Sequence, residues 1–510
     1  MTFSFYNDAG MNKELTGSSD SPIPGNPEPV AVWRHFGAIS AIPRCSRAED
    51  KARGYVITRA RESGLAYRQD RAGNVVVYKP ASPGYERIPP VVLQGHLDMV
   101  CEKNQDNQHD FDRHGIQLIR DGDWIRARDT TLGADNGIAV AMMLAILESP
   151  EPFGALECLF TVDEESGITG ALGLDPDLIS GRLLINLDSE DEGVFCIGCA
   201  GGCNTYLEVP VVRDAHTAEG TRVRIRVTGL RGGHSGVDIH EERGNSIVLG
   251  ARLLRTLENT HQTVRLVHIA GGGKHNAIPR ELHLDLVCTD PDSTDTADLE
   301  RTLVEQQRLF RDELGAREPD LELRLEPIGD RTAEVVPRTL TRQSCAALTD
   351  ALLALPNGVL GMSSVVPGLV ETSSNLASVQ LNGEVVEILT SQRSSRISLI
   401  DWAAEKAASV ARLAGGRARF AERYPSWTPD RDSALLKTAT GTYERLFGTA
   451  PRATAVHAGL ECGVIREKVG PMDMISLGPD IEGAHTPRER VSIPSTERIW
   501  QLLIAILKSI

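Results

Sequence analysis

Apolar and polar positions follow two different rhythms along this 510-residue chain, and the rhythm changes twice. From about Val30 to Ser63 the pattern is helical. Short β-rich runs, "NVVVYK" and "PPVVLQGH", then stand between turn residues. "NGIAVAMMLAILES" reads as a buried helix whose first turn follows "GAD", while "ALECLFTV" and "RLLINLD" are unbroken apolar runs suited to central strands covered on both faces. Alternating strand and helix predict an α/β unit around a largely parallel sheet.

Past about residue 203 the strands become amphipathic, as in "TRVRIRVTGL", "RELHLDLVCT" and "LELRLEP", with the charged helical stretch "DLERTLVEQQRLFRDELG" among them. That grouping predicts an α+β unit. After "YPSWTPD" the first style returns with the helix "SALLKTATGTYERLFG" and the strand "DMISLGP", so the second unit is an insertion. The expected organisation is a mobile tail over residues 1–28, a catalytic domain from 29–202 and 425–510, and an inserted domain over 203–424. Such a length suits two cores better than one. The most apolar segment, "RIWQLLIAILKSI", is too short to span a bilayer and reads as a docking helix.

Composition narrows the function. With 41% apolar and 24% charged residues the balance is globular, and a formal charge of −16 repels nucleic acid and anionic membranes, so neither is an expected partner. Nine scattered cysteines do not make a disulfide framework, and no basic segment followed by an apolar one opens the chain. Both observations favour a cytoplasmic location; Met11 is a candidate start. "CIGCAGGC" brings Cys196, Cys199 and Cys203 close in sequence without a convincing fourth ligand, so packing is the preferred reading. "GGGK" lacks the phosphate-loop pattern, and no serine sits in a nucleophile-elbow setting.

Five segments place chemistry at strand ends or helix starts, where parallel sheets gather their ligands. "VVLQGHLDMV" ends on His96 and Asp98, "TLGADNG" carries Asp135, and "FTVDEESGITG" carries Glu164 and Glu165. "LLINLDSEDEG" reaches Asp188 and "ISLGPDIEGAHTP" reaches His485. Singly, each is most often a hydrogen-bonded loop residue. Together they form an acidic cluster at the edge of an apolar sheet, which is costly without cations. Three ionised ligands, Asp135, Glu165 and Asp188, with neutral His96 and His485 supply about −3 against +4 from two divalent ions, and one hydroxide closes the balance, with Asp135 bridging. Zn²⁺ suits these nitrogen and oxygen donors, with Mn²⁺ or Co²⁺ also acceptable. In an extended segment Glu164 and Glu165 would point to different sides, Glu165 to an ion and Glu164 to the attacking water as general base. Asp98 could orient the His96 ring through its second nitrogen.

The motifs "GHLDMVCEKN", "TLGADNGIA", "DEESGITGA", "NLDSEDEG", "GGHSGVDI", "HAGLECG" and "GAHTPRER" closely resemble, in order, those of the aminoacyl-histidine dipeptidases (cytosol non-specific dipeptidases). These belong to the dinuclear zinc peptidases that include carnosinases, aminoacylases and glutamate carboxypeptidases. The resemblance runs from about residue 30 to the C-terminus. It implies a zinc-peptidase-like catalytic domain with an inserted lid and dimerisation domain, hence a homodimer. His96 and Asp188 would hold one metal, Glu165 and His485 the other, and Asp135 would bridge them, often through a cis peptide to Asn136. Asp98 and Glu164 would form the catalytic pair, His234 would polarise the scissile carbonyl, and Asn276, Arg393 and Gly459 would contact substrate. The implied substrate is a dipeptide with a free C-terminus, Xaa-His dipeptides included. An aminotripeptidase or an N-acyl amino acid hydrolase would use the same metals with another pocket. An inactive peptide-binding protein would be expected to lack Glu164 or a ligand, and all are present.

Overall fold

The computed structural model describes residues 23–216, 220–289, 295–328 and 338–510. It divides into two compact units. Among the described residues, the first comprises those within 23–197, 430–454 and 464–510, and the second those within 198–429 and 455–463. The second unit thus takes in the "HAGLECG" segment, which the sequence reading had left with the catalytic domain. The expected mobile tail falls on residues 1–28, of which 1–22 lie outside the described residues. Ile23 is packed into the first core at 1% exposure, and an isolated apolar residue in a Pro/Gly-rich stretch carries no periodicity that would have announced this.

An eight-stranded sheet organises the first unit. Its centre is a parallel block of four strands, Leu156–Thr161, Val91–His96, Leu183–Asn186 and Asp473–Ser476, in that spatial order. Antiparallel neighbours extend the sheet, Val75–Lys79 and Ala66–Gln69 on one side and Val194–Cys199 on the other, with Arg452–Val456 beyond it. Leu156–Thr161 and Val91–His96 are buried at every position, as unbroken apolar runs require of strands covered on both faces. Helix Ala134–Glu148 packs on the Val91–His96 strand, and every residue from Asn136 to Leu147 is buried, which is why its sequence shows no polar stripe. The C-terminal segment is the helix Ile493–Ser509, docked through Ile499, Leu502, Leu503, Ile506 and Leu507.

Register aligns the strand ends. His96 pairs with Thr161, and Gln94 pairs with Asn186, so Asp188 lies level with His96. One layer below, Asn186 donates to Gln94 (2.6 Å) and Gln94 to Thr161 (3.1 Å), while Ser189 and Ser476 share a 2.8 Å bond. Buried polar groups at this depth are tolerated because they satisfy one another. A small sheet, Leu118–Asp121, Trp124–Ala127, Ile481–Glu482 and Arg490–Ser492, closes this unit, and its hairpin loop from 483 to 489 carries His485 and Glu489.

The second unit is built on a nine-stranded antiparallel sheet. Strand Thr221–Thr228 alternates buried and half-buried residues, the signature of one covered face. Helices Ser246–Thr260 and Ile397–Leu413 pack against the sheet over a separate apolar core that includes Ile225, Leu253, Leu284 and Ile388. Fold class is therefore as expected: an α/β unit with a parallel block, interrupted by an α+β unit.

Candidate metal centre

The residues picked from strand ends in the first unit converge. His96 Nε2 lies 3.1 Å from Asp135 Oδ1 and 3.3 Å from Asp188 Oδ1. His485 Nε2 lies 3.1 Å from Asp135 Oδ2 and 2.9 Å from Glu165 Oε2. Asp135 is thus shared, one carboxylate oxygen facing each histidine, and the two groups of three each bring their ligand atoms within 4.8 Å of one another. His96 is buried by its strand, whereas His485 sits in the left-handed region (φ 61°) with its side chain 52% exposed, placing one half of the cluster at the solvent boundary.

Asp135 is positioned by the entry to helix Ala134–Glu148. Gly133 is left-handed (φ 69°), Asp135 and Asn136 leave helical geometry, and the bond between them is cis, as the resemblance implied. The Asn136 amide accepts from His96 N (3.2 Å) and donates to Leu187 O (2.9 Å), coupling the helix entry to two strand ends. Glu489 closes this corner. Its carboxylate accepts the N–H groups of Leu132, Gly133, Ala134 and Asp135 at 2.7 to 3.2 Å. Burial pushes the Glu489 carboxyl upward, while these bonds oppose the shift. Arg44, fully buried, donates to the carbonyls of Leu97, Asp98 and Gly133.

One local expectation is corrected. Glu164 and Glu165 do not lie in an extended segment; they open a helical turn, Glu164–Gly167, after a left-handed Asp163 (φ 51°). Neighbours on a helix are about 100° apart, so the two carboxylates still diverge. Strand propensity ended too early here because Asp163 is caught by Ser166, Thr169 and Arg47, which together wind the chain. Asp98 fixes the turn: its oxygens accept Glu164 N (3.0 Å), Glu165 N (3.1 Å) and Ser46 Oγ (2.8 Å), and Oδ1 stands 3.3 Å from His96 Nδ1. Burial alone would raise the Asp98 carboxyl, but His96 and these donors bring it down to about 2.

The electrostatics describe a pocket that attracts positive charge. Burial, then the charges of Asp135 and Glu165, push the Asp188 carboxyl up to about 7 against the pull of His96. Bonds from Asp135 and Glu165 lift His485 to about 11, and Asp188 and Asp135 raise His96 despite its burial. Glu190, two residues past Asp188, is driven to about 7 by burial and by Asp135. Glu165 Oε1 is buried with no hydrogen-bond partner, the situation of a ligand oxygen whose partner is a cation. Oxygen and imidazole donors without thiolate fit two divalent ions.

In the second unit His234 is half-buried, and its Nδ1 accepts the N–H groups of Gly236 (3.2 Å) and Val237 (3.0 Å). That leaves the ring proton on Nε2. Asn276 accepts Ser235 N through its carbonyl (2.8 Å). Arg393 is 6% exposed; it donates to Tyr424 (2.8 Å), and its Nε has no partner. Gly459 lies two residues beyond His457, whose Nε2 is 2.7 Å from Ser373 Oγ; burial and then the Arg393 charge lower His457 to about 3. The sequence reading missed His457, although it opens the quoted "HAGLECG". It also missed Glu489, Arg44, Glu49 and Asp163. Cys196, Cys199 and Cys203 are all buried, and no candidate metal group among the described residues includes them.

The chain belongs to peptidase family M20/M25/M40, whose model matches residues 92–509. It is 39% identical over 484 residues to the cytosol non-specific dipeptidase of Escherichia coli strain K12, covering 94% of this chain and 98% of that one. Its fold matches the crystal structure of the aminoacylhistidine dipeptidase from Vibrio alginolyticus with a TM-score of 0.86 at 38% identity, over 98% and 99% of the two chains. Aminopeptidase PepT from Bacillus cereus shares the fold at 16% identity, with a TM-score of 0.53 over 94% and 98%. The resemblance read from the motifs is therefore borne out at the level of the family.

Proposed function

We propose that this chain is a metal-dependent dipeptidase acting in the cytoplasm on dipeptides with a free C-terminus, Xaa-His dipeptides included. One observation carries the metal assignment: Asp135 presents one oxygen to His96 and the other to His485, each histidine having a second carboxylate of its own. His96 and Asp188 would hold one ion, Glu165 and His485 the other, and Asp135 would bridge. Zinc is the first choice for these donors, with manganese or cobalt as substitutes. When bound, such ions polarise a carbonyl and make water a nucleophile at neutral pH.

The protein's own groups have distinct tasks. Glu164, its backbone N–H anchored on Asp98, takes the proton from the attacking water and delivers it to the departing amine. Asp98 holds the His96 ring and the Glu164–Glu165 turn. In the second unit His234, with Nδ1 occupied, offers Nε2–H to the carbonyl oxygen. Arg393, a buried guanidinium with an unused N–H, suits the peptide carboxylate, with Asn276 and Gly459 as further contacts. The second unit would act as lid and dimerisation domain in a homodimer; among the described strands its sheet ends on Arg417–Tyr424, which exposes Phe420.

Elemental analysis combined with a panel of dipeptides, tripeptides and N-acyl amino acids, before and after chelation, tests the proposal. About two ions per chain and dipeptide cleavage lost to chelator are expected. Preferential cleavage of tripeptides or acyl amino acids would reassign the substrate class, and chelator-insensitive cleavage would end the metal reading.

A further inference from the structure

A disulfide joins Cys45 to Cys101, with Cα atoms 5.7 Å apart and a sequence separation of 56. The scattered cysteines had argued against a disulfide framework, and a pairing of this kind leaves no local trace in sequence. Both cysteines are half-buried, whereas six of the other seven are buried, so this pair is within reach of reagents. Its location gives it a consequence. Residues 44–49 form a strap bonded to the segments that carry the carboxylate cluster. Arg44 donates to the carbonyls of Leu97, Asp98 and Gly133, and Ser46 donates to Asp98 Oδ2. Glu49 Oε1 accepts the N–H groups of Arg47 (2.7 Å) and Asp163 (3.0 Å). Met99 N donates back to Arg44 O (3.2 Å), and Cys45 and Met99 form a parallel bridge. The strap therefore touches all three segments that present His96 and Asp98, Asp135, and Glu164 and Glu165. Arg47 and Ala48 are exposed, so its hold is chiefly polar, and the sulfur bond is its covalent pin.

We propose that the Cys45–Cys101 bond makes the strap a thiol-sensitive positioning element, with Ser46 and Glu49 as positioning residues that act through Asp98 and Asp163. A dithiol reductant supplies the chemistry. One thiolate attacks a sulfur of the pair and forms a mixed disulfide; its second thiol then displaces the remaining cysteine. Two electrons and two protons end on Cys45 and Cys101, and the reductant leaves as a cyclic disulfide. Freed of the pin, residues 44–49 move more widely, and the Asp98 oxygens hold the Glu164–Glu165 turn less tightly. The effect falls first on turnover, because Glu164 handles the proton, whereas the ion proposed for Glu165 would also be held by Asp135 and His485.

The test uses full-length, metal-loaded protein oxidised at this pair, with a trialkylphosphine as reductant, since thiols would bind the metals. The phosphine takes oxygen from water as it yields two cysteine thiols, and a mass gain of two hydrogens confirms the step. Reduction is expected to lower kcat by between about threefold and a hundredfold, with KM and metal content unchanged. Deuterium exchange over residues 163–169 should quicken, because the Glu164 and Glu165 N–H groups lose their hold. The Cys45→Ser/Cys101→Ser double variant should match reduced enzyme and ignore phosphine, and Ser46→Ala should lower kcat with the bond intact. The idea is overturned if confirmed reduction changes neither kcat nor exchange, if the loss tracks metal release, if the double variant still responds, or if a mild oxidant cannot form the bond. The kinetic arm rests on the dipeptidase reading. The exchange arm does not, so faster exchange in a protein that cleaves no peptide would uphold the strap while the activity reading fails.

Discussion

At the scale of single residues the centre divides into groups that carry charge and groups that place it. Glu164→Gln keeps the shape of the turn and removes the proposed base; turnover should fall by about 10²–10⁴-fold with metal content unchanged, as steady-state kinetics with elemental analysis will show. His96→Ala should instead lower metal occupancy, since it removes a proposed ligand to which Asp135 and Asp188 both turn. Glu489→Ala differs again. It leaves four N–H groups, three of them buried, without their acceptor, at about 1–3 kcal/mol for each one that water does not reach, so the denaturation midpoint should fall sharply and metal should be lost with it. Most of the first set was legible in sequence, because an apolar run that ends in an acid or a histidine announces both the strand and its ligand. Glu489 and Arg44 were not, because their partners are backbone groups in distant segments and nothing beside them in sequence differs from an ordinary charged loop.

Among the elements, strand Val91–His96 and helix Ala134–Glu148 approach each other closely at Gly95. A Cβ on Gly95 would collide with Asn136 Oδ1 and come within 2.9 Å of Ala139 Cβ. Gly95→Ala should therefore cost about 1–3 kcal/mol, read from urea denaturation, and should weaken metal binding by displacing Asn136. At the other end of the same helix, Glu148 lies 2.6 Å from Arg34 and 3.2 Å from His35 and is also bound by Arg59, linking three helices. Burial would raise its carboxyl, yet His35 and Arg59 hold it at about 2, below its ordinary value of 4.5. A carboxyl lowered by folding stabilises the native state above its unfolded value and loses that contribution as pH falls through the folded one. Thermal midpoints should therefore drop between about pH 4.5 and about pH 2, and Glu148→Gln should flatten that limb. His35, lowered by burial, adds a loss of the same sign that begins near its ordinary 6.5. The helices and strands themselves were readable from periodicity. The turn at Glu164 was not, since its winding depends on side-chain bonds to Asp163 that no repeat of apolar residues encodes.

Among the described residues each unit has its own large apolar core, and the proposed metal ligands all belong to the first unit. Calorimetry should resolve two transitions, and chelation should lower the first unit's while leaving the other in place, because an ion stabilises only the structure that binds it, by about 2.7 kcal/mol at a hundredfold excess over Kd. A single transition that shifts as one would show the units unfolding together. The change from continuous to alternating apolar runs led the sequence reading to expect an insertion, whereas the division of the structure at 197/198 and 429/430, and the return of 455–463, depend on packing that sequence does not display.

His485 stands 350 residues beyond Asp135, on a hairpin that follows the last strand of the parallel block. A ribosome must therefore finish nearly the entire message before His485 can join the cluster, and a product that terminates earlier lacks that side chain. A nascent chain thus cannot assemble the proposed two-ion cluster, and so cannot draw on the dipeptide pool, until His485 has been added.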